Sequence, residues 1–464
     1  MIDQVMQQSA QAFEIYKQVS PAARATFLET IASELEKLRE ILVTTAGEET
    51  SLPAARLNGE LTRTTTQLQS FADLIKEGSW VDAVIDTKNT DIRRMLMPIG
   101  PVVVFGASNF PFAFSTAGGD TASALAAGAT VVIKGHPAHP RTSLLAFEAI
   151  LSAIRICDMP VFTVQHVNGF GKELVMHPVT TGVGFTGSLQ GGKALMEYAT
   201  QREVPVPVFA EMSSINPVVF YPDALYTQAQ QWAETFAASI TLGMGQFCTN
   251  PGLLIGLRSG ALDNFLHSLE IAIAGVASQK MLHTGIYDAY VKGRSDIFTQ
   301  TTATLHTDII ALPTLASTDA VTFLSNELLK EELFGPYSLL VICENKTELI
   351  EVLKSLKGQL TTTVVGTDTD ITEWQDTIAL QTTLAGRIIF NQPPTGVEVC
   401  AAMVHGGPFP ATSDPRYTSV GTSAIRRWVR PVCFQNFPDN LLPDALKRDN
   451  PLGIGRWTDN QFSR

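Results

Sequence analysis

The chain begins with helical spacing. Ser20-Pro21 reads as an N-cap followed by proline at the first helical position. After it Phe27, Leu28, Ile31, Leu35, Leu38 and Leu42 fall on one helical face. A second helix is predicted over "AARLNGELTRTTTQLQSFADLIKEG". The period then drops to two. "WVDAVIDTKNTDIRRMLMPIG" alternates about a central Lys-Asn-Thr-Asp turn and predicts a hairpin. From residue 101 short apolar runs alternate with helices. "GPVVVFGA", "ATVVIKG", "VFTVQHV" and "TGVGFTG" read as strands, and "GGDTASALAAG", "SLLAFEAILSAI" and "SLQGGKALMEYAT" as helices. Gly128 closes the first of these helices. Buried apolar strands separated by helices predict an α/β architecture with a doubly wound parallel sheet. A second alternation follows Cys248, through "LLIGL", "NFLHSLEIAIAGVA", "SLLVICEN", "TELIEVLKSL", "TTTVVGT" and "GRIIFN". From about residue 393 the chain turns irregular and rich in Gly, Pro and Thr, with no internal repeat anywhere.

Composition narrows this picture. A chain of 464 residues exceeds what one core normally holds, so two or three domains are expected. The net charge of −12, with no basic run, argues against a nucleic-acid or anionic-membrane partner. The opening "MIDQVMQQSAQAFEIYKQ" lacks an apolar signal core, and runs such as "MPIGPVVVFGA" are too short to span a bilayer. The five cysteines, at 157, 248, 343, 400 and 433, show no metal-ligand spacing. A reducing cytoplasm is expected, and no structural metal.

Four stretches can carry chemistry. In "VVVFGASNFPF" a strand end delivers Asn109 into the usual ligand crevice of a parallel sheet, though a turn asparagine before Phe-Pro reads the same. In "GFTGSLQGGKAL", Gly187 and Ser188 open a helix whose N-terminus suits a pyrophosphate, or simply form a tight turn. Glu211 sits inside the apolar "PVFAEMSSINPVVF", either as a proton-transfer group or as a solvated loop carboxylate. Cys248 lies in "GQFCTN"; alone, a free cysteine is more often plain packing. Together the four form a coherent set. A thiolate attacks a carbonyl, an amide and a backbone N–H stabilise the oxyanion, a carboxylate acts as base, and a dinucleotide lies beside them to accept hydride.

With these motifs in order, the sequence resembles the aldehyde dehydrogenase superfamily along nearly its whole length. Asn109-Phe110-Pro111, Lys134 in "VVIKGHPAHP", Phe185 to Ser188, Glu211, Gly245 to Cys248 and "EELFGP" each match a family motif. The stretches "FGASNFPFAFSTAGGDTASALAAG", "KGHPAHPRTS" and "RPVCFQNFP" are similar to the α-ketoglutaric semialdehyde (2,5-dioxopentanoate) dehydrogenase branch, and NADP-linked fatty aldehyde dehydrogenases share some of them. The resemblance implies Cys248 as nucleophile, Glu211 as general base and Asn109 as oxyanion donor, with no metal in the scheme. It also implies NAD or NADP held by Lys134, Gly171, Gly187, Ser188, Glu332 and Phe334. Phe110 would border the substrate. The implied division is a cofactor domain (1–79 and 99–213), a catalytic domain (214–422) and a β arm (80–98 and 423–464) that pairs subunits into a homodimer or homotetramer.

The chain departs from the family pattern in places. Gly118 stands where many members have a lysine, and Pro137 where NAD-preferring members often have an acid. Neither Leu189 nor Gln190 supplies the arginine common in NADP users, so both cofactors are expected. "HGGPFPATSDPRYTSVG" replaces the usual C-terminal glycine-rich anchor, so the pocket rim is built differently. Arg56 and Arg63, two helical turns apart, share a face of a helix that resembles the family helix bordering the substrate tunnel. They are either solvated surface groups or, in the case of Arg63, a clamp for a substrate carboxylate. The expected reaction is oxidation of a semialdehyde. The rivals are oxidation of a fatty or other aliphatic aldehyde, a phosphorylating or acyl-transferring enzyme, and a non-catalytic dinucleotide-binding protein.

Overall fold

The computed structural model describes residues 1–307 and 313–464. Ser20 caps the helix Pro21–Lys37, its hydroxyl accepting from the Ala23 N–H as the sequence predicts. That helix ends at Leu38, and a separate helix runs Arg39–Thr50. The apolar face continues across the break, with Phe27, Leu28, Ile31, Leu35 and Leu42 all buried. One predicted helical face is thus two helices on one buried surface. The long helix Ala54–Glu77, closed by Gly78 in the left-handed region, packs against Pro21–Lys37 and against Gly119–Ala127. Every residue of Gly119–Ala127 is buried. Its Gly, Ala, Ser and Thr side chains are small enough to let neighbouring elements close on it from several sides.

Three sheets organise the chain. The first is wholly parallel, in the order Val164–Val167, Val131–Lys134, Val102–Phe105, Gly182–Thr186 and Val208–Glu211. Chain direction across the sheet reverses between Val102–Phe105 and Gly182–Thr186. A crevice opens outside the carboxyl ends of strands at such a switch point. Asn109 follows the first of these strand ends, and Gly187 and Ser188 follow the second. The second sheet has seven strands, with Leu253–Leu257 at its middle and Ala385–Phe390 at one edge; all pair in parallel except Thr304–Leu305.

The third sheet contains the predicted hairpin. Val84–Asp86 and Ile92–Pro98 pair antiparallel, and Val429–Gln435 pairs along the full length of Ile92–Pro98. Trp428, fully buried at the entrance to Val429–Gln435, packs on the first sheet at Gly182 and Gly184. Arg427 donates to Asp120 at 2.6 Å and fastens the same junction. Between Phe390 and Thr422 no helix or strand forms, as the composition of that stretch predicts. Its segment near Thr412 nevertheless pairs with the edge strand Val208–Glu211, through Met212 N–H to Ala411 O and Ser413 N–H to Ala210 O. No helix among the described residues is long and apolar enough to cross a membrane.

Candidate active site

Cys248 follows a turn that few sequences can make. Gly243, Met244 and Gly245 all have φ between 55° and 62°. That left-handed run explains why glycines precede the cysteine. Gly245 also has no room for a side chain, because a Cβ there would lie 2.2 Å from the carbonyl oxygen of Gly335. The turn is pinned from below. Asn216 Nδ2 donates to the carbonyl oxygens of Cys248 and Asn250, each at 2.9 Å.

Glu211 ends its strand facing this thiol and is 3% exposed, so it is not a solvated loop carboxylate. Its Oε1 accepts from His405 Nε2 at 2.9 Å and its Oε2 from the Ser419 hydroxyl. His405 Nε2 also lies 3.4 Å from Cys248 Sγ. The three residues bring one ligand atom each within 4.8 Å of one another. Burial pushes the Glu211 carboxyl up, but His405, Ser419 and Cys248 outweigh it and hold the group below the usual carboxylate range. The Cys248 thiol moves the other way. Burial and the Glu211 charge raise it well above its ordinary value, against the opposing pull of Arg63. The resting pair is therefore a thiol beside a carboxylate.

Asn109 is buried and its Nδ2 donates to Gln246 O at 3.2 Å, so the amide is anchored to the residue two before Cys248. A cavity of about 450 Å³ joins these groups to the switch-point crevice. It is lined at one end by Lys134, His136, Gly187 and Ser188 and at the other by Asn109, Glu211, Cys248, Glu332 and Phe334. Ser188 caps the helix Leu189–Thr200 by accepting from the Gly191 N–H. Glu332 is bonded to Ser213 and Ser214, and burial raises its carboxyl to about 7 despite them. Burial likewise lowers the Lys134 amine, and burial with the neighbouring His139 and Lys134 takes His136 down to about 3. Gly171 begins the short helix Gly171–Met176 and packs against Phe105; it is not among the residues lining this cavity.

The two arginines are both half-buried, and they differ. Arg56 stacks on Phe247 and Phe110, and its Nη2 donates to Asn109 O at 2.8 Å. Arg63 stacks on Phe114 at 5.1 Å and on Phe110 at 5.9 Å. Its Nε and Nη2 are buried with no acceptor among the described residues, as are Nε and Nη1 of Arg56; only Arg56 has a hydrogen bond, through Nη2. Phe110 and Phe114 line the cavity and pack with Val420, Val397 and Met403 into an apolar wall. Where the family lysine would sit, Gly118 has no space: a Cβ would lie 2.4 Å from Ala113 O.

His405 and Ser419 were not singled out by the sequence reading. They lie 194 and 208 residues beyond Glu211, inside the irregular segment. The one signal was that this segment departs from the family's glycine-rich anchor.

Residues 1–284 match the aldehyde dehydrogenase family. The chain belongs to that family. An Azospirillum brasilense protein named alpha-ketoglutaric semialdehyde dehydrogenase 2 is 45% identical to it, covering 99% of this chain and 91% of its own length. An Acinetobacter baylyi alpha-ketoglutaric semialdehyde dehydrogenase is 44% identical over 98% and 90%. Among solved structures, a Thermus 1-pyrroline-5-carboxylate dehydrogenase with bound NAD shares the fold, with a TM-score of 0.79 at 18% identity over 94% of this chain and 85% of that one. The chain is thus an aldehyde dehydrogenase that uses a nicotinamide cofactor.

Proposed function

We propose that this aldehyde dehydrogenase oxidises α-ketoglutaric semialdehyde, 2,5-dioxopentanoate, to 2-oxoglutarate with NAD or NADP. The observation that carries the substrate is Arg63. A guanidinium with two unpartnered nitrogens, buried at an aromatic wall that leads to Cys248, suits a carboxylate on the far end of a short aldehyde. The names of the two relatives at 45% and 44% identity agree with it. The test is a screen of 2,5-dioxopentanoate, succinic semialdehyde and hexanal with each cofactor. The semialdehydes are expected to lead in kcat/KM; a lead for hexanal would return the enzyme to the aliphatic-aldehyde reading.

The donor set suits the cofactor. Ser188 and the helix it caps would hold the pyrophosphate, Lys134 the adenosine ribose, and Glu332 with Phe334 the nicotinamide end. The nicotinamide supplies the hydride acceptor. The lining residues nearest Lys134 include no carboxylate, which suits either a ribose hydroxyl or a 2′-phosphate.

The remaining steps belong to the protein. Cys248 Sγ adds to the aldehyde carbon as its proton passes to Glu211. Asn109 Nδ2 and the Cys248 N–H stabilise the oxyanion of the thiohemiacetal. Loss of hydride from that carbon leaves a thioester on Cys248. Glu211, after losing its proton to solvent, takes one from the water that releases the acid. A buried hydrolytic base beside the thioester disfavours transfer to phosphate or to another acyl acceptor.

The same reading assigns 1–79 and 99–213 to cofactor binding, 214–422 to catalysis and 80–98 with 423–464 to an arm that pairs two or four copies. The exposed Trp457, Phe462 and Phe437 on and beside the third sheet support that arm. A reducing cytoplasm suits a catalytic thiol accompanied by four further free cysteines.

A further inference from the structure

We infer that His405 is a positioning residue whose Nε2–H is shared between Glu211 and Cys248 and follows the negative charge from one to the other. The inference rests on the proposed roles of those two residues and adds a third member to them.

The tautomer is decided by the surroundings. His405 is fully buried. Its Nε2 faces a carboxylate oxygen at 2.9 Å and a sulfur at 3.4 Å. An ionised carboxylate only accepts, so a lone pair on Nε2 would oppose it. Nδ1 is buried with no partner among the described residues, so a hydrogen placed there alone would be an unsatisfied donor. Nε2 therefore carries a hydrogen. An N–H cannot take the thiol proton, which leaves Glu211 as the acceptor and His405 as the donor beside both.

The ring is held for that task. The His405 N–H donates to Thr418 Oγ1 at 2.8 Å, and its carbonyl accepts from the Ser419 N–H at 2.9 Å. Ser419 is the other donor to Glu211. Two donors braced against one another thus grip both carboxylate oxygens. When the proton moves from Cys248 Sγ to Glu211, no atom is gained or lost; the charge passes from carboxylate to sulfur. The Nε2–H, already within 3.4 Å of Sγ, then bonds to the thiolate without moving the ring. His405 lowers the cost of forming the nucleophile while keeping Glu211 within reach of the later water.

The first readout needs neither aldehyde nor cofactor. Alkylation of Cys248 by iodoacetamide, read by peptide mass, is followed against pH in the full chain and in His405→Leu and His405→Gln. Loss of the donor is expected to move the alkylation profile of His405→Leu to higher pH and to lower kcat/KM on the order of 10- to 100-fold, as loss of one charge-assisted hydrogen bond implies. His405→Gln, which returns an N–H donor, is expected to recover most of both. Unchanged thermal melting and cofactor binding show that the variants are folded. An unshifted profile in His405→Leu overturns the proposal. So does a His405→Gln no better than His405→Leu, because the imidazole would then be needed as a proton acceptor. A shifted profile in an enzyme that prefers hexanal would keep the role of His405 and remove only the semialdehyde substrate.

Discussion

Gly245 and Gly335 meet backbone to backbone beside Cys248. The Cα of Gly245 closes on the Gly335 carbonyl, where a Cβ would stand 2.2 Å from the oxygen, while a Cβ on Gly335 would meet the Tyr290 ring. Two sequence motifs 90 residues apart are thus one structural joint, which fixes both the Cys248 turn and the segment carrying Glu332 and Phe334. Gly245→Ala adds a methyl group to that joint and requires φ near 62° of a non-glycine residue. It is expected to cost about 1–3 kcal/mol in stability, seen as a lower Tm, and to lose most activity. Wild-type melting and turnover would show that the joint yields easily.

The proposed roles put Glu211 and Asn109 at different steps. Glu211→Gln is expected to give a slower pre-steady-state burst of reduced cofactor, of full amplitude, and then to stall at the thioester. Asn109→Ala is expected to slow the burst itself by roughly 10²–10³, the loss typical of one oxyanion donor. A lost burst in Glu211→Gln with an intact one in Asn109→Ala would reverse the two assignments.

In its proposed role at the nicotinamide ribose, Glu332 is expected to tie cofactor binding to pH. Its carboxyl is raised to about 7 in the free site, mainly by burial. Hydroxyl donors of a ribose favour the ionised form, so binding should draw the group below that value and release a proton. The cofactor Kd is expected to fall as pH rises through about 7, and to lose that dependence in Glu332→Gln. Titration calorimetry in buffers of different ionisation enthalpy reads both the Kd and the proton.

The proposed role of Arg63 is expected to separate substrates. Losing a buried guanidinium–carboxylate pair costs on the order of 2–5 kcal/mol. Arg63→Ala is therefore expected to cut kcat/KM for 2,5-dioxopentanoate steeply while changing hexanal little. Arg56→Ala should affect both, because Arg56 is bonded to the Asn109 backbone rather than left free. Equal losses in Arg63→Ala would assign Arg63 to structure alone.

Much of this was legible because the chain marks its elements locally. The Ser20 cap, the left-handed Gly128 after a small-residue helix and the Lys-Asn-Thr-Asp turn each stand where the sequence puts them. The break at Leu38 was hidden because the apolar stripe runs on across it. The helix Pro222–Thr241 was passed over; its polar run "TQAQQWAET" blurs the apolar period, and Gln228 leaves helical geometry within it. His405 was hidden for another reason. Its partners come from remote strands and turns, and only the folded irregular segment between Phe390 and Thr422 brings it to Glu211. The two arginines share a helical face as their spacing requires, but only packing shows that Arg56 spends one nitrogen on the Asn109 carbonyl while two nitrogens of each are left without an acceptor among the described residues.

The central claim is that Cys248 carries the acyl group of a semialdehyde. The most direct measurement is the mass of the Cys248 peptide after Glu211→Gln is mixed with 2,5-dioxopentanoate and cofactor and quenched in acid. The account predicts a stoichiometric acyl adduct on Cys248, with an equal amount of reduced cofactor formed. Reduced cofactor without an adduct on Cys248, or an adduct on another cysteine, would contradict it.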